Sequence, residues 1–315
     1  MTNDFLPMTI KQALRQAIET LTSNRFEEAH LEAELLLRHL LGIGRAELHL
    51  RLEDSLPPEQ TPELDRLIRR RLSHEPMAYI TGHKEFFGLD LIVTADTLIP
   101  RPETELLVEK ALELAGNRTS PTIADVGTGC GAIAIAMAVH LPQAKVYAFD
   151  ISTAALEVAA LNCERHRVTE RVHLLQGDLL QGDLASNIPA RIKAGDKPPR
   201  YDLILANLPY VSDRQMRGLC DDVRLFEPAL ALSGGPDGLQ QISRLLAQAR
   251  DKLHPGGAIL LEISPEQRTG VVELAGRHLP GDNVKVYPDL SGHDRVIVME
   301  SKADKNLAIA PGEGA

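Results

Sequence analysis

The chain has 315 residues, 43% of them hydrophobic, and a formal net charge of −10. That size and apolar share fill one large domain or two, while the acidic balance and an aromatic content of 3% without Trp argue against a basic or base-stacking nucleic-acid surface. Cys130, Cys163 and Cys220 are odd in number and lack metal-ligand spacing, so no metal centre is expected and they read as buried small hydrophobes of a reducing cytosol.

In chain order, the first 77 residues read as helical. Ile10, Leu14, Ile18 and Leu21 repeat at helix spacing, as do Leu31, Leu35, Leu36 and Leu40, and then Leu64, Leu67, Ile68 and Leu72. Beside the last stripe stands a basic cluster, Arg66, Arg69, Arg70 and Arg71, which reads as a solvated helix face or, alternatively, as a docking surface for an acidic or RNA-bound partner. Residues 78–102 change pattern: Phe86-Phe87-Gly88 and the run 89–93 predict two short strands joined around Gly88, a hairpin linker. The segment Ile99-Pro100-Arg101-Pro102-Glu103-Thr104-Glu105 then holds the backbone extended before a helix opens.

From residue 103 to 301 strands and helices alternate. Apolar runs at 122–126, 146–149, 172–175, 203–206 and 258–263, mostly separated by helix-like stretches such as 132–140 and 153–166, predict an α/β fold with a mainly parallel, doubly wound sheet. Residues 284–287 and 295–300 flank Ser291-Gly292-His293 and predict a closing antiparallel hairpin, and the tail 302–315 is expected to be disordered. No apolar run approaches membrane-spanning length and no opening segment has the form of a signal peptide, so a cytoplasmic protein without a membrane partner is expected; a monomer is expected as well, though no pattern in the sequence gives the oligomeric state.

Three motifs sit where the sheet's carboxyl edge is expected, the place where open α/β folds bind ligands. In Asp125-Val126-Gly127-Thr128-Gly129-Cys130-Gly131, Gly127, Gly129 and Gly131 let the backbone turn tightly and approach a ligand, with a helix opening at once behind them. Asp150, after the next strand, is placed to accept the hydroxyls of a nucleoside ribose. This pairing alone also suits NAD. The spacing Gly-x-Gly-x-Gly and the acid at Asp125 favour a cationic amino-acid cofactor, S-adenosylmethionine (SAM), over a pyrophosphate, which Asp125 would repel. After the third strand, Asp178 is expected to bond an adenine amino group with Leu179 packing on the ring; a loop-capping turn is the competing reading. After the fourth strand comes Asn207-Leu208-Pro209-Tyr210. Asn207 Oδ1 and the Leu208 carbonyl can accept both N–H groups of a planar amide, Pro209 restrains Leu208, and Tyr210 can cover the plane.

The chain resembles the HemK/PrmC release-factor glutamine methyltransferases, class I SAM-dependent enzymes. The resemblance rests on the glycine loop, Asp150, Asn207 to Tyr210, Glu75-Pro76, Thr81-Gly82, Glu85-Phe86, the segment from Thr97 through Ile99 to Glu105, and Val223-Arg224-Leu225-Phe226-Glu227-Pro228. It implies a Rossmann-like methyltransferase domain behind a small helical substrate-recognition domain. It also implies methylation of the glutamine of the Gly-Gly-Gln loop in peptide chain release factors, with no stable nucleic-acid partner. The family's usual motif is Asn-Pro-Pro-Tyr, and Leu208 departs from it. Asn-Leu-Pro-Tyr also resembles the motif of rRNA adenine dimethyltransferases, so N6-adenine methylation is one alternative. Methylation of ribosomal protein L3 and SAM binding without turnover are the others. Arg101 and Glu103 read as an ion pair fixing the linker or as substrate contacts; Glu227 and Pro228 read as packing or as a lid after the motif.

Overall fold

The computed structural model describes residues 8–116, 118–182 and 199–302; the expected disordered tail lies, but for residue 302, outside them. The chain forms two compact units, one of Met1–His83 with Cys220–Phe226, the other of Lys84–Leu219 with Glu227–Ala315.

The first unit holds α1 (Ile10–Ser23), α2 (Ala29–Leu41), α3 (Arg45–Leu50), α4 (Thr61–Leu72) and α5 (Met77–Thr81). A capping box opens α1: the Thr9 hydroxyl accepts the Gln12 N–H at 3.2 Å and the Gln12 side chain accepts the Thr9 N–H at 2.9 Å. Ile10, Leu21, Leu36, Leu37, Leu48, Leu64 and Leu67 form the core. One expectation is corrected here. Leu31 is 45% exposed and the buried face of α2 runs through Ala29, Ala33, Leu36 and Leu37. Two alanines carry the stripe, which a search for large apolar residues passes over.

The basic cluster divides: Arg66 and Arg69 are exposed, as a solvated face would be, while Arg70 is half-buried and Arg71 buried. Arg66 pairs with Glu63 and Arg70 with Glu75. Arg71 is buried, gripping Glu32 through two nitrogens at 3.0 Å and Asp222 at 2.9 Å.

In the second unit, β1 (His83–Phe86) and β2 (Leu89–Ile92) make the expected hairpin. Its two-residue turn has Phe87 at φ 52° and Gly88 at φ 75°, the left-handed pair that matches strand twist. The linker differs from expectation at its start, where residues 77–81 are helical because Pro76 opens α5 as its cap.

The main body runs α6 (Thr104–Ala115), β3 (Thr122–Val126), α7 (Ala132–His140), β4 (Lys145–Asp150), α8 (Thr153–Arg165), β5 (Val172–Asp178), β6 (Gln181–Gly182) and β7 (Tyr201–Ala206). It continues with α9 (Asp213–Met216) and, after α10 (Asp221–Phe226) of the first unit, with α11 (Ala229–Leu232), α12 (Gln240–Ala249), β8 (Leu253–Glu262), α13 (Arg268–His278), β9 (Asn283–Pro288) and β10 (Asp294–Glu300). The sheet order is β6-β5-β4-β3-β7-β8-β10-β9. Strands β5, β4, β3, β7 and β8 are parallel, and β10 pairs antiparallel with both β8 and β9. This is a doubly wound, Rossmann-like sheet with the expected closing hairpin.

Winding proceeds outward from β3 through β4 to β5, then returns to β7 on the other side of β3. The crevice at the carboxyl ends of β3 and β7 is therefore the switch point, where neighbouring loops diverge and leave room for a ligand. Cys220–Phe226, expected within the 103–301 domain, belongs to the helical unit, where Asp222 supplies a carboxylate to Arg71 and lies 3.1 Å from His74 Nδ1.

Candidate active site

A cavity opens at the switch point. The loop after β3 contributes Gly127 and Gly129, the end of β4 Phe149, Asp150 and Ile151, the end of β5 Gly177, Asp178 and Leu179, and the loop after β7 Asn207, Leu208 and Pro209. Asp96, Thr97 and Leu98 close one side; Pro228, Leu230, Ala231, Gln241 and Arg244 close another. Thus the three motifs that lie far apart in sequence meet at one edge.

The glycine loop is built by backbone bonds. The Gly127 and Thr128 N–H groups donate to the Phe149 carbonyl at 2.8 and 2.9 Å, and the Gly129 N–H donates to Asp150 Oδ2 at 2.9 Å. Gly131, at φ 87°, starts α7, and a Cβ there would lie 2.9 Å from Ile135 Cδ1 and 3.3 Å from Ala159 Cβ. Glycine is required by both conformation and the close approach of α8. The fully buried Asn162 fastens the same loop: it donates to the Cys130 carbonyl at 2.9 Å and exchanges bonds with the Ile92 backbone at 2.7 and 2.8 Å.

Asp125 departs from its expected role. It does not line the cavity. It is fully buried, accepts the Thr128 hydroxyl at 2.6 Å and the Ala134 N–H at 3.0 Å, and burial pushes its carboxyl up to about 7. Its work is to fix the loop, not to attract a cation.

Asp150 does line the cavity. Its two oxygens accept the Gly129 and Ser152 N–H groups, which leaves further lone pairs for a ligand's hydroxyls, and burial raises its pKa. Asp178 meets Arg244 at 2.5 Å on the cavity wall. Among the sequence-derived candidates, Thr128, Cys130, Gly131 and Tyr210 do not line the cavity. Thr128 and Cys130 are buried behind it, the Cys130 thiol pushed up to about 12 by burial. Cys163 is buried as expected, but Cys220 is exposed because it opens the short segment leading to α10.

The Asn207 loop is held from three directions. Asn207 Nδ2 donates to Thr104 Oγ1 at 3.0 Å, and that hydroxyl donates to Glu262 Oε2 at 2.6 Å. Thr104 and Glu262 are both buried, and burial pushes Glu262 up to about 7. Leu208 is 4% exposed and packs over the glycine loop, its Cδ2 3.3 Å from where a Cβ on Gly127 would sit. From outside, a Cβ on Gly234 would come within 2.8 Å of the Pro209 carbonyl oxygen and Tyr210 Cα, and one on Gly238 within 2.3 Å of the Tyr210 carbonyl oxygen. Gln267 Nε2 bridges the Gly238 and Tyr210 carbonyls at 2.8 and 3.3 Å. The Tyr210 phenol is pushed up to about 12 by burial.

The proline-rich segment is a set of ties. Arg101 pairs with the buried Glu227, not with Glu103, so the expected Arg101–Glu103 linker pair gives way to a link with the segment after the motif. Glu105 accepts the Phe87 N–H at 2.9 Å. Thr104, Glu262, Asn162 and Gly234 are not among the candidates that the sequence offers. The signal available for Glu262 was a lone acid closing an apolar strand.

The donor set fits SAM. Acidic groups at the ends of β4 and β5, apolar walls from Phe149, Ile151 and Leu179, and a glycine loop suit a cationic nucleoside. The cationic side chain on the wall, Arg244, is already paired with Asp178. Among the described residues no cluster of metal-binding side chains occurs and no helix is long and apolar enough to cross a membrane.

Two family models match the chain: the PrmC N-terminal domain over residues 12–82 and the methyltransferase small domain over residues 102–223. The chain is 43% identical to the release factor glutamine methyltransferase of Moorella thermoacetica, over 91% of this chain and 97% of that protein. It is 35% identical to that of Rhodopirellula baltica, over 95% and 98%. Among solved structures, the hMettl16 catalytic domain in complex with the MAT2A 3'UTR hairpin 6 aligns at a TM-score of 0.51 with 16% identity, covering 74% of this chain and 82% of that one, a likeness of fold.

Proposed function

The chain belongs to the release factor glutamine methyltransferase family, and on that premise we propose that it transfers a methyl group from SAM to the side-chain nitrogen (N5) of the glutamine in the Gly-Gly-Gln loop of peptide chain release factors, in the cytoplasm and as a monomer. One observation carries the site assignment. Asn207 lines the cavity with one of its two N–H groups donated to Thr104, which fixes the amide end at Thr104 and leaves the acceptor Oδ1 for a substrate.

An amide nitrogen is a poor nucleophile because its lone pair is delocalised into the carbonyl. Accepting one N–H at Asn207 Oδ1 and the other at the Leu208 carbonyl holds the nitrogen with its lone-pair face toward the methyl donor. Pro209 narrows the conformations of Leu208, and Tyr210, whose carbonyl accepts from Gln267 Nε2, anchors the loop behind them. Gly127, Gly129, Asp150, Asp178 and Leu179 hold SAM, with Thr128, Cys130 and Gly131 keeping the loop in shape. Bound SAM supplies a sulfonium methyl with a good leaving group, so alignment rather than acid–base chemistry lowers the barrier.

Incubating the protein with SAM and an unmethylated release factor, then weighing the loop peptide by mass spectrometry, tests this. One added methyl on the Gly-Gly-Gln glutamine is expected, with kcat falling on the order of a hundredfold or more in Asn207→Ala. Robust methylation of ribosomal RNA or of another protein, with no mass change in the loop peptide, would refute the substrate.

A further inference from the structure

An asparagine side chain is nearly symmetric in shape but opposite in chemistry across its two ends. Rotated by half a turn, Asn207 would present NH2 to a substrate NH2, donor against donor, and the grip would be lost. Something must decide the orientation, and Thr104 alone does not, since a hydroxyl both donates and accepts.

We propose that Thr104 and Glu262 are positioning residues for methyl transfer: Glu262 accepts the hydrogen bond donated by the Thr104 hydroxyl, which leaves the Thr104 oxygen to accept from the Asn207 NH2 and so turns Asn207 Oδ1 toward the substrate amide. The inference rests on the proposed transfer to an amide nitrogen.

The geometry is a directed chain, Asn207 Nδ2 to Thr104 Oγ1 at 3.0 Å and Thr104 Oγ1 to Glu262 Oε2 at 2.6 Å. Its three members come from three elements: the loop after β7, the first residue of α6, and the last residue of β8. Thr104 is 5% exposed and Glu262 2% exposed, so water does not compete for these bonds. A carboxylate this deep is costly for packing alone, and a leucine would fill the position more cheaply. Arg101, Arg295 and Glu103 exert charge effects on Glu262, yet no ion pair to it occurs among the described residues, so its short hydrogen bond is to Thr104. The chain also accounts for the threonine in the proline-rich segment, whose neighbours Arg101 and Glu105 serve separate ties.

The test compares wild type with Thr104→Val, Thr104→Ser and Glu262→Gln at pH 8, reading SAM affinity by calorimetry, kcat and KM for the release factor, and the NMR signals of the Asn207 side-chain NH2. Thr104→Val keeps the shape and loses the hydroxyl. It is expected to lower kcat roughly 10- to 100-fold, leave SAM affinity within about twofold, and move the Asn207 NH2 signals toward those of a free amide. Thr104→Ser restores the hydroxyl and is expected to recover most of kcat; Glu262→Gln, whose amide can itself flip, falls between. With an active wild type, an unchanged kcat in Thr104→Val overturns the relay alone, as does equal loss in Thr104→Ser and Thr104→Val. Absence of glutamine methylation by the wild type overturns the proposed function itself.

Discussion

In the helical unit the buried Arg71 guanidinium meets Glu32 at 3.0 Å and Asp222 at 2.9 Å and lies over the Phe26 ring at 4.3 Å, whereas in the methyltransferase unit Asp125 and Glu262 are buried with no cation paired to either among the described ion pairs. Both acids are pushed up to about 7. The difference separates two uses of buried polarity. A charge met by partners on every side closes a structure, and removing one partner strands the others. An acid kept in the interior with only hydroxyl and amide donors costs stability. It persists because it fixes something next to the cavity: the glycine loop through Thr128, or Asn207 through Thr104.

The largest effect that follows is on the helical unit. Arg71→Ala strands Glu32, 8% exposed, and is expected to cost about 3–5 kcal/mol. Hydrogen exchange should rise across Ala29–Leu41 and Asp221–Phe226, where the two carboxylates sit, while SAM affinity holds. The comparison sharpens if Arg71→Met combined with Glu32→Leu recovers most of the loss. It breaks if SAM binding weakens in step with the exchange.

The opposite sign is expected for the lone acids. Glu262 has its folded pKa raised from 4.5 to about 7 by burial, so between those values the folded state holds a proton that the unfolded state has released. Stability therefore falls as pH rises through that window and the full cost stands above it, roughly 3 kcal/mol for this group. Asp125, raised from 3.8 to about 7, adds a slope of the same sign. Glu262→Gln should remove its share, making the protein more stable at pH 8 than wild type while differing little at pH 4. Denaturant titrations across that range measure it, and a variant equally destabilised at every pH would show that the carboxylate is part of the architecture after all.

The same contrast explains what could be seen in the sequence. Parallel strands buried on both faces are continuous apolar runs, so 122–126 and 203–206 stand out. The glycines after β3 announce a backbone that must turn left-handed. Asn207 was visible because a proline and a tyrosine frame it. The supporting residues were not, because each is one polar residue whose partner lies far along the chain: Thr104 and Glu262 are 158 residues apart, Asn162 and Ile92 are 70 apart, and Arg71 reaches Asp222. Local patterns carry no information about such pairings, and Glu262 reads as an ordinary strand end until β8 is laid beside α6. Asp125 is visible in the sequence, but only its complete burial shows that it faces inward.

Leu208 is the smallest effect and the one that separates side chain from backbone. The family's proline at this position would stiffen the loop, and replacing an ordinary residue by proline at a compatible site gains about 0.4–1 kcal/mol through the unfolded chain. Against that, Leu208 is buried and reaches the glycine loop with Cδ2, and the shorter proline ring would give up about one methyl's worth of burial, near 0.8 kcal/mol. The two terms nearly cancel, so Leu208→Pro is expected to shift stability by less than about 1 kcal/mol and to change kcat and SAM affinity by no more than about fivefold. If the substrate amide is held by the carbonyl of residue 208, either residue supplies it. A loss of a hundredfold would mean instead that the leucine side chain, pressed on Gly127, sets the position of the glycine loop, and that here an apolar contact does what Asp125 and Glu262 do by hydrogen bonds.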